Sequence, residues 1–140
     1  MHYGRAFTAG LVGAAVMSLL LAAVRAAGVP LPIEARLAEL LGTHIWAVGL
    51  VAHLLIGGCF GLVYAAVFEF GLHQGGLGPG AMLGAYQTIL AGFAWGLLGG
   101  PGHFWSSIGP DGVAALFLVH VAFGAVVGSL YPTEYAVVYG

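Results

Sequence analysis

Charge is missing from this chain over distances that suit a membrane helix. No charged residue lies between Arg5 and Arg25, between Glu39 and Glu69, between Glu69 and Asp111, or between Asp111 and Glu134. A hydrocarbon core of about 30 Å is crossed by about 20 helical residues, so each stretch has room for a span. The expectation is an all-α membrane protein with four transmembrane helices at about 6–27, 45–68, 80–99 and 112–131. Residues 28–44 form the longest segment between spans, too short for a soluble domain, so residues 1–140 read as a single multi-pass membrane domain. Composition agrees: 6% of residues are charged, against roughly one quarter in soluble domains. Three basic residues are too few for a nucleic-acid surface.

The chain repeats itself. HLLIGGCFGLVY and HVAFGAVVGSLY share the pattern His-x3-Gly-x3-Gly-x2-Tyr, which lays His53, Gly57, Gly61 and Tyr64 on His120, Gly124, Gly128 and Tyr131 at an offset of 67. At an offset of 70, Gly10, Ala14, Ser18 and Ala22 fall on Gly80, Gly84, Thr88 and Gly92. Each half therefore reads as a helical hairpin, about 6–70 and about 79–135. A duplicated two-span unit keeps its orientation, so the hairpins form a parallel repeat about an axis along the membrane normal. Arg5 ahead of an apolar run, with Val24-Arg25-Ala26 behind it, has the outline of a signal peptide. The length of that run and its match to the third span instead make the first span a permanent member of the bundle.

Small residues recur every four positions, as Gly10, Ala14, Ser18, Ala22 and Ala26, and as Gly80, Gly84, Thr88, Gly92, Gly96 and Gly100. Apolar side chains gain little by leaving lipid for protein, so helices associate where small residues let backbones approach. Gly57, Gly61, Gly84, Gly92, Gly96, Gly124 and Gly128 are accordingly expected at helix crossings. At about 100° per residue, the His, two Gly and Tyr of each repeated motif share one inward face. If Gly57 and Gly61 faced the other histidine helix, the two axes would run close, which weighs against a macrocycle between them unless the helices splay above the crossing.

His53 and His120 lie at matched depth, and an ionisable group inside the bilayer marks a functional position whose partner should be named. Three readings follow. Each imidazole can pin helix register by bonding to a backbone carbonyl or a Ser/Thr hydroxyl. Both can ligate a haem b iron axially, the one metal this sequence suggests. Or they mark a proton or solute pathway, although no Asp or Glu is expected at their depth. His2, His44, His73 and His103 fall at span ends or in loops. Cys59 reads as a small packing residue. Tyr64 and Tyr131 are expected at one membrane interface, with Trp46, Phe104 and Trp105 at the other.

The segment PIEARLAELL from Pro32 begins like a helix and places Ile33, Leu37 and Leu40 opposite Glu34, Arg36 and Glu39, the pattern of a short interfacial helix. Residues 71–79 and 99–112 read as turns from their Gly and Pro content. No phosphate-binding loop, nucleophile elbow or zinc motif is present.

The run GLVGAAVMSLLL, the Pro-containing loop with its short helix, His-x3-Gly-x3-Gly-x2-Tyr-Ala in the second span and the related run in the last span together resemble an uncharacterised family of small bacterial four-span membrane proteins. The resemblance implies residence in the bacterial cytoplasmic membrane and carries no activity with it. The functional expectation is a non-enzymatic accessory or assembly subunit, packed against larger membrane subunits of a complex such as an electron-transport chain. The alternative is a bis-His haem b or other tetrapyrrole electron carrier. A small proton-coupled transporter is third.

Overall fold

The computed structural model describes residues 1–99 and 103–131, with side chains described outside 95–107. The described residues are helical: α1 (Tyr3–Ala26), α2 (Ile33–Leu40), α3 (Trp46–Ala66), α4 (Leu77–Gly99) and α5 (His103–Leu130). Three helices among them are long and apolar enough to cross a membrane: Tyr3–Ala26, Trp46–Leu72 and Ile108–Leu130. α4, with 23 residues, has the length of a span.

α1 runs antiparallel to α3, meeting it without intervening side chains. A Cβ at Gly10 would collide with the Gly57 carbonyl, and one at Gly61 with the Ala6 carbonyl and the Gly10 backbone. α4 and α5 meet in the same way: Gly80 lies against Gly124, Gly128 against Gly76, and Gly84 against the His120 carbonyl. The expected crossings at Gly57, Gly61, Gly84, Gly124 and Gly128 thus fall within hairpins. Gly57 and Gly61 do not bring α3 close to α5, which corrects the crossing that weighed against a macrocycle. Gly92 is buried. Gly96, Phe104 and Trp105 lie outside the residues whose side chains are described, and Gly100 lies outside the described residues.

α1 also packs on α5, where Gly13 admits the side chains of Phe123 and Val127. At the offset of 70 this position in α4 is Leu83. α4 does not approach α3 as α1 approaches α5. The helices therefore lie in the order α3, α1, α5, α4, with a gap between the outer two.

Several expectations need correction. Tyr64 and Tyr131 are buried inside the bundle. Tyr64 packs edge-on against Phe68 and Phe123, with ring centroids 6.0 and 5.6 Å away. Tyr131 donates its hydroxyl to Glu69 and accepts from the His2 backbone N–H. Cys59 is exposed on the outer side of α3 rather than packed between helices. Residues 71–79 are only partly a turn: Val67–Leu72 forms a π-helical continuation of α3, and α4 starts at Leu77. Residues 99–112 are likewise only partly a turn, because α5 begins at His103 and is broken at Gly109, whose φ of 65° and ψ of 177° belong to a region open essentially to glycine alone. Pro110 then restarts the helix, its fixed φ suiting a first turn.

The interfacial reading of α2 is wrong about its buried face. Ile33, Glu34 and Ala38 are buried while Leu40 is half exposed. α2 sits so tightly on α3 that a Cβ at Gly49 would strike the Glu34 carbonyl. The Glu34 side chain turns inward because Arg25, in the last turn of α1, meets it there.

Candidate functional site

The gap between α3 and α4 is a cavity of about 350 Å³. α2 closes part of it with Ile33 and Leu37, and α1 contributes Met17. His53 reaches it from α3, Gln87 from α4, and His120 from α5. These three are the buried polar side chains on its wall, amid Phe60, Leu116 and Phe123. The fold thus joins the two repeated histidines in one chamber, although they lie on different hairpins.

Each imidazole is anchored through Nδ1. His120 Nδ1–H donates to the Leu116 carbonyl one turn earlier at 2.8 Å. That carbonyl has a second lone pair beyond the one used by the helix. A neutral His120 therefore carries its proton on Nδ1 and presents Nε2 as a bare acceptor. His53 Nδ1 lies 2.9 Å from Ser18 Oγ, a pair that can share its proton in either sense. Thr88, the counterpart of Ser18, instead donates to the Gly84 carbonyl of its own helix at 3.2 Å. The histidines are therefore equivalent in placement and different in support.

Gln87 was not singled out from the sequence, although a lone amide inside an apolar run was a usable signal. Tyr64 donates its hydroxyl to Gln87 Oε1 at 2.7 Å, which fixes the amide and leaves Nε2 as a donor. This bond also ties α3 to α4 across the gap.

Glu34 was expected on the polar face of α2 and lies instead on its buried face. Its side chain is fully buried, with Oε2 held by Arg25 at 2.7 Å and Oε1 without a hydrogen-bond partner. Arg25 also donates to the Leu31 carbonyl at 3.1 Å, so one guanidinium holds the approach to α2 and its first turn. α2 brings Glu34 onto α3 at Gly49, one helical turn from His53.

Among the described residues no group of three or more His, Cys, Asp or Glu side chains is placed to hold a metal ion. A bound metal would thus have to draw on the two imidazoles and a ligand of its own. A wider, open groove of about 1050 Å³ lies on the outer face of α4 and α5, lined by Tyr86, Ile89, Pro110 and Phe117. It lacks the convergent polar groups of the cavity between α3 and α4. No family model, curated protein or solved structure matches this chain.

Proposed function

We propose that this chain is a non-catalytic, four-span membrane protein that binds a small, largely apolar molecule in the cavity shared by His53 and His120. The observation carrying the reading is that α3 and α5 each bring an imidazole, held through Nδ1, to the wall of one cavity. A histidine needed only to pin register has no reason to share a cavity with its counterpart. Mostly apolar walls with a few converging polar groups are the usual make-up of a ligand site, and the volume lies at the small end of the common range of about 300–1,000 Å³.

The four-span, two-hairpin architecture belongs to this proposal. It is supported by the pairing of glycine contacts: Gly10 against Gly57 and Gly61 in one half, Gly80 against Gly124 and Gly128 in the other. Those pairs are related by the offsets of 70 and 67 seen in the sequence. The two halves are not equivalent in packing, since α1 packs on α5 while α4 does not pack on α3 in the same way. Bacterial cytoplasmic-membrane residence is part of the same reading.

Haem b binding is the second reading, favoured by the Nδ1 anchoring. A metal-bound histidine usually donates its other ring N–H to a carbonyl or carboxylate, as His120 does to Leu116. His53 and His120 would be its axial ligands, and the chemistry supplied would be one-electron transfer. A tetrapyrrole would require the chamber to widen. The accessory-subunit reading draws on the outer groove of α4 and α5 and predicts co-purification with larger membrane proteins.

The test is identification by mass spectrometry of small molecules retained after mild detergent extraction, beside an absorption spectrum before and after reduction. Ala91 lines the cavity, so Ala91→Phe should empty it. A molecule carried by the parent and lost from a folded Ala91→Phe variant supports the reading; equal retention by both contradicts it. A reducible Soret band abolished by His120→Ala would favour haem.

A further inference from the structure

The hydrogen-bonding groups on the cavity wall are unequal, and their inequality specifies a ligand. This inference rests on the cavity being a binding site and goes on to name what it selects. His120 Nδ1–H is committed to the Leu116 carbonyl, so Nε2 accepts. The bond from the Tyr64 hydroxyl to Gln87 Oε1 fixes which end of the amide is which, so the Gln87 amide N–H groups are the donors on this wall. The wall therefore offers one fixed acceptor and one fixed donor. His53 is the adaptable member, because its proton can sit on either nitrogen according to which way the Ser18 hydroxyl points.

A ligand bearing only acceptors, such as an ether or ester, would leave His120 Nε2 unmatched. A hydrocarbon would leave both fixed groups unmatched, and each unmet buried polar group costs free energy. A carboxylate would bring a charge into a chamber whose walls are chiefly apolar, at a large desolvation cost. A hydroxyl satisfies both: its proton goes to His120 Nε2 and its lone pairs accept from Gln87. The rest of the ligand must be apolar and small, and Phe60 and Phe123 provide aromatic surface for a ring.

We infer that the cavity selects a hydroxyl-bearing aromatic molecule, an alkylphenol or hydroquinone in chemical class, with the hydroxyl set between His120 and Gln87. Such molecules partition into bilayers, which suits a partly open site among membrane helices. Binding involves no bond making beyond hydrogen bonds.

Three probes of nearly equal size separate the alternatives: 4-propylphenol, 4-propylanisole and propylbenzene. Their affinities are measured by calorimetry or ligand-observed NMR on the full chain in detergent, with Ala91→Phe as the correction for partition into micelles. The expected order is 4-propylphenol tightest, by about tenfold over each of the other two, as for a site that loses a matched hydrogen bond. Equal binding of all three, displaced by Ala91→Phe, would overturn the hydroxyl assignment and leave the cavity a plain apolar site. A tie between phenol and anisole above propylbenzene would also overturn it, showing that only the Gln87 donor is read. Binding by none of the probes beyond the micelle correction would overturn this inference; retained native molecules in the extraction experiment would then show whether the cavity reading itself survives. Gln87→Met should weaken the phenol toward the anisole value and leave propylbenzene unchanged.

Discussion

Arg25 and Glu34 form a buried ion pair in which only one carboxylate oxygen is satisfied: Arg25 reaches Oε2 at 2.7 Å, while Oε1 has no hydrogen-bond partner. The pair fastens α2 to the end of α1. Removing one member of a buried pair strands the other, at a cost of about 3–5 kcal/mol. Arg25→Met alone should therefore destabilise the folded protein by about 3 kcal/mol, because Arg25 is partly exposed. The double variant Arg25→Met/Glu34→Met should recover most of that loss. Thermal unfolding in detergent of both singles and the double variant checks the coupling; simple additivity would show that the two side chains act independently.

The glycine crossings make a second prediction. Gly57→Leu and Gly124→Leu place a bulky side chain where Gly57 faces Ala14 and Gly124 faces the Gly80 backbone. Overpacking costs about 1–3 kcal/mol when the surroundings can yield, and backbone yields less than side chains. Both variants should fail to accumulate in the membrane. Gly78→Leu is the control, since no heavy atom lies within 4 Å of its Cβ position. Normal yield of the first two would remove those glycines from any close crossing.

Tyr64→Phe deletes the donor to Gln87 while leaving the edge-on packing with Phe68 and Phe123 intact. The expected loss is about 1 kcal/mol. Tyr64→Ala should lose about 3–5 kcal/mol by analogy with other buried aromatics. Similar stability of the two variants would mean that the ring contacts contribute little.

Topology gives a fourth test. With Cys59→Ala as background, single cysteines at Gly4, His44, Gln74 and Asp111 should be labelled by an impermeant maleimide in alternation, with 4 and 74 on one side and 44 and 111 on the other. Positions 74 and 111 on the same side would show that α4 does not cross.

Much of this architecture was legible because lipid imposes simple rules. Apolar runs between charges located the helices, and small residues at every fourth position located the backbone crossings. The partner of each glycine face was harder to read. Gly57 could face any neighbour, and only the assembled bundle shows that it faces α1. The repeated histidines stood out, but their common cavity depends on how the helices assemble, which the repeat alone does not fix. Glu34 was misread because its charge argues for water until Arg25 is seen beside it. The burial of Tyr64 and Tyr131 was unreadable for a related reason: an amphipathic ring at a helix end suits an interface, and only the fold supplies each hydroxyl with its protein acceptor, Gln87 or Glu69. Such long-range pairings leave no periodic signal.

The central claim is that His53 and His120 serve one ligand in one cavity. Its most direct test is ¹⁵N NMR of the histidine-labelled protein during titration with 4-propylphenol, assigned by His53→Gln and His120→Gln. The account predicts that the Nε2 resonances of both residues shift together along one isotherm saturating at one equivalent, with His120 Nε2 starting unprotonated. Two separate isotherms, or a response from one histidine alone, would contradict it.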